Sequence, residues 1–334
     1  DYAYVSTEAN NSGITIVNLA QLPDTVFYKT WMGTPETQIL RSHALACADG
    51  YLYVFGGTQS GAVICDLADP WNPVIKSVYK QQYIHDGYIR NDTLWASEIY
   101  VGQFSVIDVS DKTNPVVLAT QPTPGNFNHN SWLSDNSQFL FTADERSSTP
   151  LGAFDVSDLD NITQLDLYYP SILPTREVHN VRVLNDFLIS ASYGGQLTIV
   201  DANRPDNLVE TGWASLGTSL VWDADPYLPS GIILATAKQE GLFIFQSDYE
   251  RACYLEGRVT DADTGQPLGR VKVVVQNSYN ADVTKTDGLF KTGVANPGMY
   301  TLQVGKIGYK PLPVSDVVVK RGETTWLELV LEKH

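Results

Sequence analysis

The sequence predicts an all-β protein with a β-propeller in residues 1–248 and a seven-stranded β-sandwich in residues 249–334. Three observations predict this fold. The composition favours pleated sheets and tight turns, with 18 Tyr, 7 Trp and 25 Gly in 334 residues. Two sequence markers recur in register at intervals of 42 to 50 residues, and the repetition stops near residue 249.

The first marker is an apolar strand that ends in Asp and leads into a turn with Asn, in two cases followed by Pro. The Asp residues recur at intervals of 42, 47 and 46 residues, and the Asn residues follow in step. An Asp at this position can accept hydrogen bonds from the backbone N–H groups of its turn. The pairs are Asp66 with Asn72, Asp108 with Asn114, Asp155 with Asn161, and Asp201 with Asn207.

The second marker is a histidine that opens each unit, ahead of an apolar stretch, a small turn and a strong strand. Its members recur at intervals of 42, 44 and 50 residues and are His43, His85, His129 and His179. Each complete unit therefore predicts four strands joined by turns, which is a propeller blade. Residues 1–32 lack the opening strand of a unit, and residues 220–247 lack the last one. We expect six or seven blades, with an N-terminal part missing.

The sequence pattern changes after residue 249. Alternating apolar residues there predict seven short strands in about 80 residues, a pattern typical of a sandwich. Predicted strands include residues 255–259, 271–275, 298–304 and 324–329. Asp261, Asp263 and Asp282 could form a calcium loop, but hairpin turns use the same residue types and are the favoured interpretation.

Charge and apolar content exclude several classes of protein. The formal net charge of −16 disfavours nucleic acid and anionic lipid surfaces as partners. No apolar run is long enough to span a bilayer, so direct membrane insertion is not expected. Asp1 opens directly into a strand-like segment, which indicates a processed or truncated N-terminus.

The chain has three cysteines, Cys47, Cys65 and Cys253, and an odd number cannot all pair with one another. We interpret Cys47 and Cys65 as buried apolar residues that are too far apart for a disulfide.

Two families resemble this sequence. Residues 1–247 resemble the LVIVD-repeat propellers of the choice-of-anchor B family through the Asp…Asn-Pro turns, the His-Asp-Gly-Tyr and His-Asn-Ser-Trp openings, and residues 227–231 before residues 240–243. Residues 253–332 resemble the carboxypeptidase regulatory-like, transthyretin-type domain through Gly257, Asp263-x-Gly265-x-Pro267 and Thr286-Asp287-Gly288. The first resemblance implies an exported protein of Bacteroidota, delivered by type IX secretion and located outside the cell or on the outer-membrane surface. The chain would then begin after that family's first blade.

The four histidines are the main functional prediction. Opening strands of blades line the central channel of a propeller, so these side chains should meet at one mouth of it. Neutral imidazoles bind transition metals, so the row could hold Zn, Fe or Cu. Each histidine could instead be a structural fastener that bonds a neighbouring turn, and this alternative stays open. Trp222 and Asp223 stand where the sixth unit would have its histidine.

Acidic and aromatic residues near the histidines are candidates for binding a ligand at the channel mouth. They are Asp86, Tyr88, Glu98, Trp132, Asp144, Glu145 and Asp223. The carboxylates could also serve as further ligands of a metal or orient the imidazoles. No nucleophile elbow or phosphate-binding loop is present, and no catalytic residue is predicted.

Three functions fit these observations. The first is an exported cell-surface binding or scaffold protein, in which the propeller presents a face to a protein or glycan and the sandwich is a spacer or docking module. The second is a metal-dependent hydrolase, lyase or oxygenase that uses the histidine cluster. The third is a subunit of a larger surface complex.

Overall fold

The computed structural model describes residues 1–172 and 177–334. Within these residues every regular element is a strand, apart from a short 3₁₀ turn at Gly57–Gln59. None of the described segments forms a helix with the length and apolar character that crossing a bilayer requires. The all-β prediction is therefore confirmed.

Six sheets follow one another along the described residues up to 246, and the strands of each sheet pair in chain order. The first sheet is β1 (Tyr2–Val5), β2 (Ile14–Asn18) and β3 (Phe27–Trp31). The second is β4 (Ala44–Ala48), β5 (Tyr51–Phe55), β6 (Ala62–Asp66) and β7 (Val74–Tyr79). The third is β8 (Asp86–Arg90), β9 (Thr93–Glu98), β10 (Gln103–Asp108) and β11 (Val116–Pro122).

The remaining three sheets repeat this order. The fourth is β12 (Asn128–Leu133), β13 (Phe139–Asp144), β14 (Leu151–Asp155) and β15 (Thr163–Tyr168). The fifth is β16 (Glu177–Leu184), β17 (Phe187–Tyr193), β18 (Gln196–Asp201) and β19 (Val209–Ser215). The sixth is β20 (Val221–Asp225), β21 (Ile232–Ala237) and β22 (Gly241–Gln246). The four complete units thus give four-stranded sheets, and the two partial units give three-stranded ones.

The Asp at the end of each third strand closes a turn as predicted. The Oδ1 atoms of Asp66 and Asp108 accept backbone N–H groups two residues later, at 2.7 and 2.8 Å. Asp155 and Asp201 make the same bond at 3.0 Å. Asn18, at the end of β2, does so at 2.9 Å, and the sequence pattern missed this fifth copy because its residue is an amide. The repeat therefore begins in the first sheet.

The apolar interior lies between neighbouring sheets. Ile14 and Ile39 pack with Leu52 and Val63 between the first and second sheets. Corresponding clusters fill the space between the second and third sheets and between the third and fourth. Another cluster joins the fifth and sixth sheets. Both faces of a typical strand are thus buried, which explains runs such as that of β5 that are apolar throughout.

One interpretation of the cysteines is wrong. Cys65 is buried on β6, but Cys47 on β4 is exposed, and both are free thiols. Cys47 lies two residues after Leu45, which packs toward the first sheet, so the two side chains share a face. The first sheet has no counterpart of β4, and this leaves Cys47 uncovered.

The C-terminal region forms the predicted seven strands in two sheets. One sheet has the order β26-β23-β29, with β23 (Cys253–Asp261), β26 (Leu289–Val294) and β29 (Thr324–Leu331). The other has the order β25-β24-β27-β28, with β24 (Lys272–Val275), β25 (Ala281–Val283), β27 (Gly298–Gly305) and β28 (Leu312–Val319). A core that includes Leu255, Val273, Phe290 and Leu302 fills the space between them. This is the β-sandwich that the alternation predicts.

Asp261 lies in the turn after β23, as the hairpin interpretation expects. Its Oδ1 accepts the backbone N–H groups of Asp263 and Thr264 at 3.0 and 2.9 Å. Its Oδ2 accepts a hydrogen bond from the Tyr309 hydroxyl at 2.6 Å. This bond, together with the hydrogen bonds from the turn, holds the pKa of the Asp261 carboxyl well below its usual range. The side chain therefore acts as the anchor of the turn.

The sandwich and strands β17–β19 of the fifth sheet belong to one compact unit, and ion pairs with buried carboxylates join them. Asp201, fully buried, accepts the Arg251 guanidinium at 2.7 Å and the Ala252 backbone N–H at 2.8 Å. Glu256 of β23 accepts the Arg204 guanidinium at 3.0 Å and the Asn207 amide at 3.0 Å. The sandwich is thus fixed to the turn of the fifth sheet rather than tethered by a free linker.

Asp201→Asn should lower the free energy of unfolding by about 2 kcal/mol, because Arg251 loses its ion pair at 2.7 Å, keeping only Asp186 at 3.9 Å, and the buried site loses a strong acceptor. The figure lies below the usual cost for a fully buried pair because Arg251 is 32% exposed. Urea unfolding followed by tryptophan fluorescence measures the change. Asp155→Asn is the matched control, since Asp155 closes the same kind of turn without a sandwich partner, and it should cost about 0.5 kcal/mol or less. Equal costs for the two variants would contradict the assignment.

Candidate metal site in a row of histidines

Each of four successive sheets places one histidine at the start of its first strand. The backbone N–H groups of His43 and His85 bond to the carbonyls of Phe55 and Ser97 on the adjacent second strands, at 2.9 and 2.8 Å. Successive imidazole rings are in contact and tilted relative to each other, with centroids 3.8, 4.2 and 4.0 Å apart. We call His43, His85, His129 and His179 the histidine row. The structure thus brings together the four histidines that the sequence singled out.

Acceptor groups fix the tautomers of the first two imidazoles. The Nδ1 atom of His43 lies 2.7 Å from Oε1 of Glu8, and Nδ1 of His85 lies 3.3 Å from the backbone oxygen of His129. Carboxylate and carbonyl oxygens only accept hydrogen bonds, so Nδ1 carries the proton in both rings. In the neutral imidazole the lone pair then lies on Nε2, the form in which histidine binds a metal.

Burial keeps the middle of the row uncharged. Desolvation, followed by the neighbouring His43, lowers the pKa of His85 to about 3. The pKa of His129 also lies well below the usual value, because the ring is buried and has His179 and His85 beside it. A backbone hydrogen bond with His179 raises this pKa, but by less than burial lowers it. These two imidazoles are therefore neutral near pH 7 and available as ligands.

Glu145 lies at the inner end of the row. Its Oε2 is 3.8 Å from Nε2 of His129, and its Oε1 is 3.7 Å from Nε2 of His179. The two imidazoles are buried, with 5% and 1% of their side-chain surface exposed, whereas Glu145 is 26% exposed. One ligand atom from each of these three residues lies within 4.8 Å of the others. The arrangement is two imidazoles and one carboxylate around a small common space.

The loop that carries Glu145 is held by hydrogen bonds on both sides. The buried carboxylate of Asp144 accepts the Thr123 hydroxyl at 2.6 Å and the Gly125 N–H at 2.7 Å. Burial raises the pKa of Asp144 in spite of these bonds. Beyond Glu145, the Arg146 guanidinium donates to the Gly125 carbonyl at 2.8 Å. Asp144 therefore positions the loop, and its predicted contact with a ligand has no support in this geometry.

The loop is also joined to the strand that carries His179. The hydroxyl of Ser147 donates to Glu177 at the start of β16, at 2.8 Å. Thr149 forms an isolated parallel bridge with the same residue. Glu145 and His179 are thus placed by connected backbone segments, so the three-residue group is preorganised.

The other residues predicted for a ligand site lie in separate environments. Asp86 accepts the Asn130 amide at 2.8 Å, and Tyr88 packs against Trp132 in a tilted arrangement with centroids 4.2 Å apart. Tyr88 is also packed against the core between the third and fourth sheets. Period-two alternation turns Asp86 and Tyr88 to the strand face opposite that of His85. These three side chains therefore connect neighbouring sheets.

Glu98 and Asp223 are engaged elsewhere as well. Glu98 is fully buried at the end of β9, accepts the Gln103 amide at 2.7 Å, and has a pKa raised by desolvation. Asp223 forms an ion pair with Arg182 at 2.5 Å. Of the seven predicted ligand residues, Glu145 alone approaches the histidine row in the contacts described.

Sequence reasoning missed Glu8. This residue follows β1, which corresponds to the second strand of a complete unit, and Glu145 follows the second strand β13 in the same way. A comparison of the loops after the second strands would have found both. The missing opening strand of the first unit concealed the correspondence, because no histidine marks that unit.

A second group of three ligand atoms within 4.8 Å comes from His43, His85 and His129. Two such groups therefore occur in the described residues, and His129 belongs to both. Neutral imidazole nitrogens with a carboxylate are suited to Zn, Fe, Cu and related divalent ions. A row of this kind has the chemistry of a transition-metal site.

Comparisons with known proteins agree with the two-part architecture. Residues 254–332 match the family of the carboxypeptidase regulatory-like domain. No curated protein matches the chain at a significant level. Solved structures similar to the chain include a candidate 6-phosphogluconolactonase from Bacteroides fragilis, with 11% identity, a TM-score of 0.58, and coverage of 87% of this chain and 83% of that one.

Two further structures give the same result. A candidate 6-phosphogluconolactonase from Bacteroides uniformis has 11% identity, a TM-score of 0.60, and coverage of 87% of this chain and 84% of that one. The WD40 β-propeller domain of Doa1 has 12% identity, a TM-score of 0.53, and coverage of 86% and 88%. At these identities the likeness concerns the fold, which is propeller-like.

The neutral state of His85 and His129 predicts a pH dependence for the stability of the metal-free protein. Because their folded pKa values lie below that of unfolded histidine, the unfolded chain binds more protons below pH 6.5. The free energy of unfolding should therefore fall with pH below 6.5, approaching about 1.4 kcal/mol per pH unit for each residue. The loss from His85 should continue to its folded pKa of about 3.

Denaturant unfolding at several pH values between 6.5 and 5 measures this slope. The control is a protein with His85→Gln and His129→Gln, which retains every carboxyl group, including Glu98 and Asp144. Its slope should be smaller than that of the unaltered protein. Identical slopes would show that the two imidazoles are not held neutral.

Proposed function

We propose that this chain is a metal-binding protein whose histidine row holds a divalent transition-metal ion at His129, Glu145 and His179. The sequence favours a cell-surface binding or scaffold protein as the first interpretation. The position of Glu145 changes this order, because it adds a carboxylate to two buried, adjacent imidazoles. This contact is the observation that carries the proposal.

The distances support metal binding over direct hydrogen bonding. The separations of 3.8 and 3.7 Å between Glu145 oxygens and the two Nε2 atoms are longer than a hydrogen bond. Zinc bonds to nitrogen and oxygen of about 2.0–2.1 Å put the ligand atoms of a tetrahedral site about 3.4 Å apart. Each of these two separations would therefore need to shorten by only a few tenths of an ångström.

Charge supports the same conclusion. A negative ligand stabilises a divalent ion in a buried site, since desolvating an unneutralised charge is costly. Glu145 supplies that charge and, being partly exposed, also gives the ion a path from solvent. The neutral imidazole of His129 lies beside it without competition from a proton at pH 7.

Metal-free protein should bind one Zn²⁺ per chain in isothermal titration calorimetry at pH 7.5. His129→Ala should weaken binding by more than the roughly 10- to 100-fold that changes outside the ligand set cause. His334→Ala is the matched control, because it removes the fifth histidine of the chain, which lies in the sandwich, and it should bind as the unaltered protein does. Absence of binding, or binding insensitive to His129→Ala, would contradict the proposal.

A second candidate function follows from the number of ligands. Three protein ligands leave a coordination position open, as in catalytic zinc sites, so a bound water could be activated. This favours the metal-dependent enzyme among the functions considered. An activated aryl ester is a suitable probe for hydrolysis.

The zinc-loaded protein would hydrolyse the ester if this second function holds, and Glu145→Gln and His129→Ala would each reduce the rate. His334→Ala would leave the rate unchanged. Hydrolysis that persists in His129→Ala, or that does not depend on zinc, would exclude the enzyme function at this site. The metal-binding proposal would then rest on the calorimetry alone.

A further inference from the structure

The outer end of the histidine row has a ligand group of its own. His43, His85 and His129 each offer a nitrogen within 4.8 Å of the other two. This group contains no carboxylate ligand and does not include Glu145 or His179. It therefore differs in chemistry from the inner group to which the proposed function assigns the ion.

The contacts around this outer group prepare it for metal binding. Glu8 and the carbonyl of His129 hold the Nδ1–H groups of His43 and His85, which leaves both Nε2 lone pairs available. Histidines that bind metals commonly donate their other N–H to a carboxylate or a backbone carbonyl in this way.

We propose that His43, His85 and His129 form a second position for the ion, overlapping the inner one at His129. This inference rests on the proposed function, because it concerns the same row and the same class of divalent transition metal. A neutral imidazole has one lone pair, so His129 serves one position at a time. The row therefore holds a single ion that has two alternative ligand sets, one with Glu145 and one made of three nitrogens.

The two ends differ in exposure in a way that suits an alternative position. His43 is 18% exposed and Glu8 is 70% exposed, whereas His179 is 1% exposed. Glu8 is too exposed to neutralise the ion as effectively as Glu145 does in the buried group. The inner position should therefore be preferred, and the outer one should fill when Glu145 is removed.

Binding of Cu²⁺, followed by titration and by electron paramagnetic resonance, tests this arrangement. The unaltered protein should bind one ion with two nitrogen ligands. Glu145→Gln should still bind one ion, about 10- to 100-fold more weakly, with three nitrogen ligands. Glu36→Gln, which changes an exposed glutamate away from the row, is the matched control and should retain the original spectrum.

Additional variants identify the second ligand set. In the Glu145→Gln protein, His43→Ala should remove the three-nitrogen signal, and Glu8→Ala should weaken binding about tenfold further by releasing the His43 tautomer. Glu8 is exposed, so this second change does not depend on the integrity of the core. His43→Ala alone should leave the two-nitrogen signal intact.

Each outcome decides between the two proposals. Loss of Cu²⁺ binding in Glu145→Gln to the same extent as in His129→Ala would overturn the second position and leave the proposed function standing. Two ions per unaltered chain would overturn the shared ligand. No binding by the unaltered protein would overturn the proposed function itself.

Discussion

The repeat depends on one hydrogen bond, from a backbone N–H to the side chain that ends each third strand. Asp66, Asp108, Asp155 and Asp201 all accept this bond, and Asn18 does so in the first sheet. The bond ends a buried strand and turns the chain toward the fourth one. Because the same turn recurs in each unit, the next unit begins at an equivalent place. The alignment of the four histidines follows from this repetition.

The fifth unit uses the same turn for a second purpose. Asp69, Asp111 and Asp158 lie three residues after the strand-ending Asp in earlier units, and Arg204 replaces them in the fifth. The positively charged Arg204 forms an ion pair with Glu256 of the sandwich, and Asp201 forms an ion pair with Arg251. The turn of the fifth unit thus contacts the sandwich segment through Arg204 and through both carboxylate oxygens of Asp201.

The sequence was sufficient to predict the strands, the sandwich and the meeting of the histidines, since each follows from periodicity. It also placed Glu145 near the row, because that residue follows a second strand. The prediction failed for residues whose surroundings depend on the incomplete first unit. Cys47 is exposed because the first sheet has no opening strand to cover it, and the position of Glu8 beside His43 was overlooked for the same reason. The sequence could not give the contacts of Asp86, Tyr88 and Asp223, because adjacency in sequence does not give the direction of a side chain.

The histidine row illustrates why a structural and a functional interpretation of one feature need not exclude each other. The tilted imidazoles join successive sheets, and the hydrogen bond from His85 to the His129 carbonyl fastens two neighbouring sheets together. The same bond selects the tautomer that leaves Nε2 unprotonated. Burial, which keeps His85 and His129 uncharged, removes the competing proton as well. The carboxylate at each end of the row supports the proposed metal-binding role, since packing between sheets has no need of Glu8 or Glu145.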